Sequence, residues 1–135
     1  KSDAETCAAS ITTIATAAAR NQLTQSHAMG PFGGTLGADA RKFTIAAFLI
    51  GAGPLSYFSY ANWLTDCWEL KGTAWWPEYD YDIGTPTSPA NTKINNRSKF
   101  KYARNFSSGT RVLVDIYTRK VSIEWGKSNL GKGPH

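Results

Sequence analysis

Glu78, Asp80 and Asp82 occupy alternate positions in the run WPEYDYD, and in an extended chain they would share one side, about 6–7 Å apart. Two carboxylates flanking a bond, one as acid and one as base or nucleophile, are what glycosidic hydrolysis needs, at separations of about 5–10 Å. The spacing is compatible with that chemistry without singling it out, because acidic triplets beside tyrosines also cap turns, bind cations or pair with Arg and Lys. No catalytic residue is assigned from it. The surrounding aromatic side chains say more. Tyr57, Phe58, Tyr60, Trp63, Trp68, Trp75, Trp76, Tyr79 and Tyr81 crowd a short stretch rich in turn signals. Aromatic rings stack on the apolar faces of sugars while nearby carboxylates and amides take the hydroxyl groups. Tyr57, Tyr60, Trp63, Trp75, Trp76, Glu78 and Asp80 are therefore the candidate ligand-binding residues, with a glycan as the candidate ligand. The competing reading makes these rings the core between helices and sheet.

Other reactive side chains offer less. His27 precedes the glycine-rich run GPFGGTLG at positions 30–37, and without a neighbouring partner in sequence it reads as a surface or hydrogen-bonded structural residue. That run has neither GxGxxG at a strand-to-helix junction nor GK[ST], so a phosphate cradle is unsupported. Cys7 and Cys67 stand sixty residues apart without CxxC spacing, and His27 and His135 are the sole histidines. This arrangement argues against zinc and for one disulfide between Cys7 and Cys67; two buried free thiols are the alternative. No cofactor is called for. Asn96-Arg97-Ser98 and Asn105-Phe106-Ser107 both read N-x-S, so Asn96 and Asn105 would accept glycans in a eukaryotic secretory pathway. With the cysteine pair, these triplets point to a secreted, extracellular setting.

At 135 residues the chain suits one domain. No apolar run approaches the roughly 20 residues a membrane span requires. It opens at Lys1 without an initiator Met, as expected of a processed product or a fragment. The net charge of +5 gathers in the last third, where ten basic residues between Lys93 and Lys132 face only Asp115 and Glu124. Without a nucleic-acid motif, that patch reads as a solvated sheet face, and nucleic acid is not the expected partner.

Several elements must position these groups. Ser2-Asp3-Ala4-Glu5 fits a capping box, and Ala4, Cys7, Ala8, Ile11, Ile14, Ala15 and Ala18 recur at helical steps as a narrow stripe of mostly small side chains. An alanine-rich helix that docks closely on a neighbour is expected. Asp39 can cap a second helix through Ile50, closed by Gly51-Ala52-Gly53 and stopped by Pro54. From Pro54 to Trp76 the chain reads as turns with one helical turn near 62–68. After Phe100 the period changes to two: Tyr102, Arg104 and Phe106, then Val112, Val114 and Ile116, then Val121, Ile123 and Trp125 alternate with polar neighbours between turn signals. This pattern predicts a three-stranded antiparallel meander with one apolar face. The fold class is α+β: an N-terminal Ala-rich helix, a second helix, an aromatic loop region and the meander, in one domain over 1–126 with a flexible tail over 127–135.

The segments AAFLIGAGPLSYFSY, WWPEYDYDIGTPTSPA and YARNFSSGTRVLVDIYTRKVSIEW together resemble the C-terminal portion of a group of glycoside-hydrolase-like proteins. The resemblance covers Arg41 to Trp125 and implies a (β/α)8 barrel followed by short C-terminal strands. A whole barrel takes about 250 residues, so the resemblance implies the last part of one, and it transfers no catalytic residue. The expectation is a secreted carbohydrate-binding or glycoside-hydrolase-related domain without independent catalysis. Its partners would be a glycan and further chains of the same or a parent protein. The alternative is a structural subunit of an extracellular assembly or glycoprotein fibre. Two further readings remain: a full hydrolase of which this is one part, and nucleic-acid binding through the basic end.

Overall fold

A computed structural model describes residues 2–29, 38–61, 77–90 and 99–129. The first helix, α1 (Asp3–Ala19), starts where the capping box places it. The Glu5 amide donates to Ser2 Oγ at 3.3 Å and the Ser2 amide donates to Glu5 Oε2 at 3.0 Å, so two amides that the helix itself leaves unpaired are satisfied. The second helix, α2 (Ala38–Gly51), begins two residues earlier than expected and holds Asp39 in its first turn rather than at its cap. It is the hub of the molecule, packing on α1, on the terminal sheet and on a strand that follows it. Its residues Ile45, Ala46, Leu49 and Ile50 are buried, together with Ile11 of α1.

The close approach of the two helices explains the small-residue stripe. A Cβ on Gly51 would lie 2.7 Å from the Ile11 carbonyl oxygen, and one on Gly53 would lie 2.6 Å from Ala18 Cβ. Glycine is required there by contact as well as by helix termination. Cys7 sits on this docked side, half-buried against the core, and its thiol is free. Cys67, its expected partner, lies outside the described residues. Burial pushes the Cys7 thiol pKa up, opposed by the nearby charge of Arg119, and the side chain acts as a small hydrophobe.

Two strands form that the sequence pattern did not announce, the second within the stretch after Pro54 expected to be turns. Strand β1 (Thr24–Met29) and strand β2 (Ser56–Ala61) pair in parallel, with Thr24 opposite Ser56 and His27 opposite Ser59. Parallel neighbours need a crossover, and α2 supplies it, making β1–α2–β2 a βαβ unit. Phe58 meets Phe48 of α2 with ring centroids 5.2 Å apart, and Tyr60 is buried. The alternate residues Tyr57 and Ser59 point away from the helix.

The meander forms as expected. Strands β3 (Lys101–Asn105), β4 (Arg111–Asp115) and β5 (Lys120–Glu124) make an antiparallel sheet in the order β3-β4-β5, with Tyr102 opposite Val114 and Arg104 opposite Val112. Tyr102, Phe106, Val112, Val114 and Ile116 bury one face against α2. Arg104 is buried among them, and its Nη1 donates to the carbonyls of Leu49 at 2.9 Å and Ala52 at 2.6 Å. The cation thereby satisfies carbonyls at the C-terminal end of α2. The molecule is thus α+β, carrying a parallel pair in addition to the meander. Residues 127–129, expected to belong to a tail, form a 3₁₀ turn whose Asn129 is buried. Among the described residues, no helix is long and apolar enough to cross a membrane.

Candidate functional site

The carboxylate trio does not share one side. Pro77–Asp80 is a 3₁₀ turn, with Pro77 in the first position where its missing amide costs nothing, so the alternation expected of an extended chain is lost. Glu78 points inward and meets Arg41 of α2, Oε1 to Nη2, at 3.3 Å. Its Oε2 is buried without a hydrogen-bond partner among the described residues. Asp80 is exposed. Asp82 is exposed too, and its carboxylate accepts the Gly84 amide at 2.9 Å, as a turn-capping aspartate does.

What the turn does is carry an aromatic wall to the edge of β2. Tyr79 lies edge-on to Phe58, centroids 6.2 Å apart, and its hydroxyl accepts the Tyr60 amide at 3.2 Å, covering part of the strand edge. Two residues on, Tyr81 meets Trp125 in a T-shaped contact at 4.9 Å. The segment is clamped from the chain's far end: the Asp82 amide donates to Asn129 Oδ1, and Asn129 Nδ2 donates to the Asp82 carbonyl, both at 2.9 Å. Between this wall, α2 and β2 lies a cleft of about 460 Å³, lined by Tyr57, Glu78, Tyr79, Tyr81 and Trp125, with Phe48 and Phe58 among its apolar walls. Glu78 and Trp125 also line an adjoining cavity of about 300 Å³ that contains Asp39, Arg41 and Lys42.

Burial acts on two phenols beside the Arg41–Glu78 salt bridge. Burial raises the Tyr79 pKa, and the Glu78 charge adds to this, while the Tyr60 amide and the Arg41 charge act against it. Burial likewise raises Tyr60, opposed by Arg41. The phenols are therefore un-ionised at neutral pH. The cleft presents aromatic edges and faces, neutral hydroxyls and one carboxylate held by a guanidinium. Such a surface suits an uncharged ligand with an apolar face and hydroxyl groups. Among the described residues, Glu78 is the one carboxylate lining it, and no three His, Cys, Asp or Glu side chains gather as a metal site would need.

Of the residues singled out from sequence, Tyr57 and Glu78 come together here. Tyr60 does not stack on a ligand: only 1% of its surface is exposed, because its position in β2 turns the ring toward α2. Asp80 lies outside the cleft lining. Trp63, Trp75 and Trp76 lie outside the described residues, as does Asn96. Asn105, at the end of β3, is exposed. Sequence reasoning placed Trp125 on the apolar face of the last strand and left Tyr79 and Tyr81 out of the site. Their proximity to one another depends on the docking of the 77–83 segment against β2 and the end of β5, for which no local pattern exists.

Residues 4–110 match the model of a family described as hypothetical glycosyl hydrolase family 15. A comparison with curated proteins found no match.

Proposed function

Because this chain belongs to hypothetical glycosyl hydrolase family 15, a glycoside-hydrolase-related family, we propose that it binds carbohydrate in the aromatic cleft between α2, β2 and the 77–83 segment. The observation that carries this reading is the convergence of Tyr57, Tyr79, Tyr81 and Trp125 with Glu78 around about 460 Å³. That volume lies within the range of small-ligand sites, about 300–1,000 Å³. Trp125 and Tyr81 offer the stacking surface, and Glu78, already held by Arg41, accepts sugar hydroxyls. Hydrolysis of a glycosidic bond takes a second carboxylate beside the first, and among the described residues Glu78 is the one carboxylate lining the cleft, so a role in binding without independent catalysis is the reading adopted. The βαβ unit supports a finer step, in which β1, α2 and β2 are a stretch of the β/α repeat from which (β/α)8 barrels are built. Secretion belongs to the same proposal: Asn105 is exposed within its N-x-S triplet, and material from a secretory host is expected to lose mass on treatment with peptide N-glycosidase.

The decisive experiment is a glycan array followed by titration calorimetry. Wild type is expected to bind a subset of neutral saccharides, with Tyr81→Ala and Trp125→Ala each weakening binding about tenfold or more while circular dichroism remains native. Flat curves across neutral and acidic saccharides would remove the proposal and favour the structural-subunit reading.

A further inference from the structure

The parallel pair has one face against the helices, and among the described residues no element packs on the other. Register pairs Gln25 with Tyr57 and His27 with Ser59 on this side, and Leu23 and Leu55 stand in the chain just before the two strands. Leu23 is 64% exposed, Leu55 40% and Tyr57 54%, which accounts for three of the four exposed large hydrophobic residues among those described. Parallel sheets are normally covered on both faces, so an open one asks what covers it. No Lys, Arg, Asp or Glu lies among these six residues, although the chain holds 25 ionisable Lys, Arg, Asp and Glu side chains, 15 basic and 10 acidic. In place of charge there is an amide, a phenol, and an imidazole whose Nδ1 lies 2.8 Å from Ser59 Oγ. Each of these groups can give or take a hydrogen bond, and the His27–Ser59 contact holds two of them in fixed relation. Tyr57 and Ser59 also line the aromatic cleft, so the open face continues directly from it.

We propose that this face is an extension of the saccharide site, receiving the further sugar units of a linear, uncharged oligosaccharide whose first units occupy the cleft. The inference rests on the carbohydrate reading of that cleft. Tyr57, exposed at the junction, would stack on a ring as the ligand turns from cleft to sheet, and Gln25 and the His27–Ser59 pair would bond its hydroxyls. From Thr24 to Met29 the strand advances five residues, about 16 Å at ~3.3 Å per residue, which is room for more than one ring. The absence of charge commits the occupant: an anionic or cationic glycan would find no counter-ion on these six residues.

Calorimetric titration with cello-, malto- and chito-oligosaccharide ladders, from disaccharide to hexasaccharide, tests it. Affinity is expected to rise about tenfold or more along one ladder. Gln25→Ala and His27→Ala should each weaken the hexasaccharide about three- to tenfold and leave the disaccharide unaffected. Both side chains are exposed, so the variants should fold, and circular dichroism checks that they do. If the disaccharide binds but affinity is flat with length and both variants are silent, the extended face is wrong and the cleft reading stands. If no member of any ladder binds, both fall. A concentration-dependent dimer abolished by Tyr57→Glu, together with flat length dependence, would assign the face to a second copy of the chain and overturn the inference.

Discussion

Arg104 sits on an alternating strand between Tyr102 and Phe106, so strand periodicity turns it inward with its aromatic neighbours. A guanidinium on an apolar face is costly unless its donors are used. Here Nη1 meets two carbonyls at the end of α2, and the charge lies 5.5 Å from the centre of the Phe106 ring. Arg104→Leu would keep the apolar bulk and leave both carbonyls without this donor. The expected loss is about 3 kcal/mol of stability, read as a lowered urea midpoint at unchanged slope. Cys7 offers a second handle. Its pKa is raised by burial in the folded chain, so the folded state holds the thiol proton at a pH where the unfolded state has released it. Stability is then full below the ordinary thiol range, about 8.5, and is lost as pH rises through that range toward the folded value. Unfolding midpoints measured against pH should decline from that point in wild type, and the onset should move to the higher pH of the phenols in Cys7→Ala.

Between elements, α1 packs closely against α2. Substituting Gly51 by Ala would raise intrinsic helix propensity by about 1 kcal/mol, yet the new methyl would sit 2.7 Å from the Ile11 carbonyl oxygen. Close contact with backbone is not relieved by a rotamer change, and overpacking of this kind costs about 1–3 kcal/mol. Gly51→Ala is therefore expected to be net destabilising, against the direction propensity gives, and thermal melts decide the sign. The same elements show how far local pattern reaches. The capping box, the helical stripe and the period of two after Phe100 each bury an identifiable set of side chains, and each element formed where its pattern lay. Strands β1 and β2 escaped because TQSHAM and SYFSYA lack the apolar alternation of a meander. Their stability comes from pairing with each other across α2, a contact between residues about thirty apart.

For the whole molecule, the cleft is a product of docking. Tyr57 arrives on β2, Glu78 and Tyr79 on a 3₁₀ turn, Trp125 just after β5, and Asn129 holds the turn in place through Asp82. Asn129 is not among the residues lining the cleft, but Asn129→Ala removes two part-buried hydrogen bonds, about 1–2 kcal/mol together. Saccharide affinity should fall several-fold along with stability if the wall between Tyr79 and Ile83 depends on this clamp. Unchanged affinity in a destabilised variant would show that the wall holds its shape without it.

Local spacing alone determined the two helices and the meander. Capping, helical stripes and strand alternation act between neighbours a few residues apart. The tertiary structure alone decided that Tyr60 faces inward, that the acidic trio separates, that His27 finds Ser59, and that Trp125 joins Tyr81. Each of those outcomes depends on which distant segments are pressed together as the apolar faces of α1, α2 and the sheet leave water, and no short window of sequence records that choice.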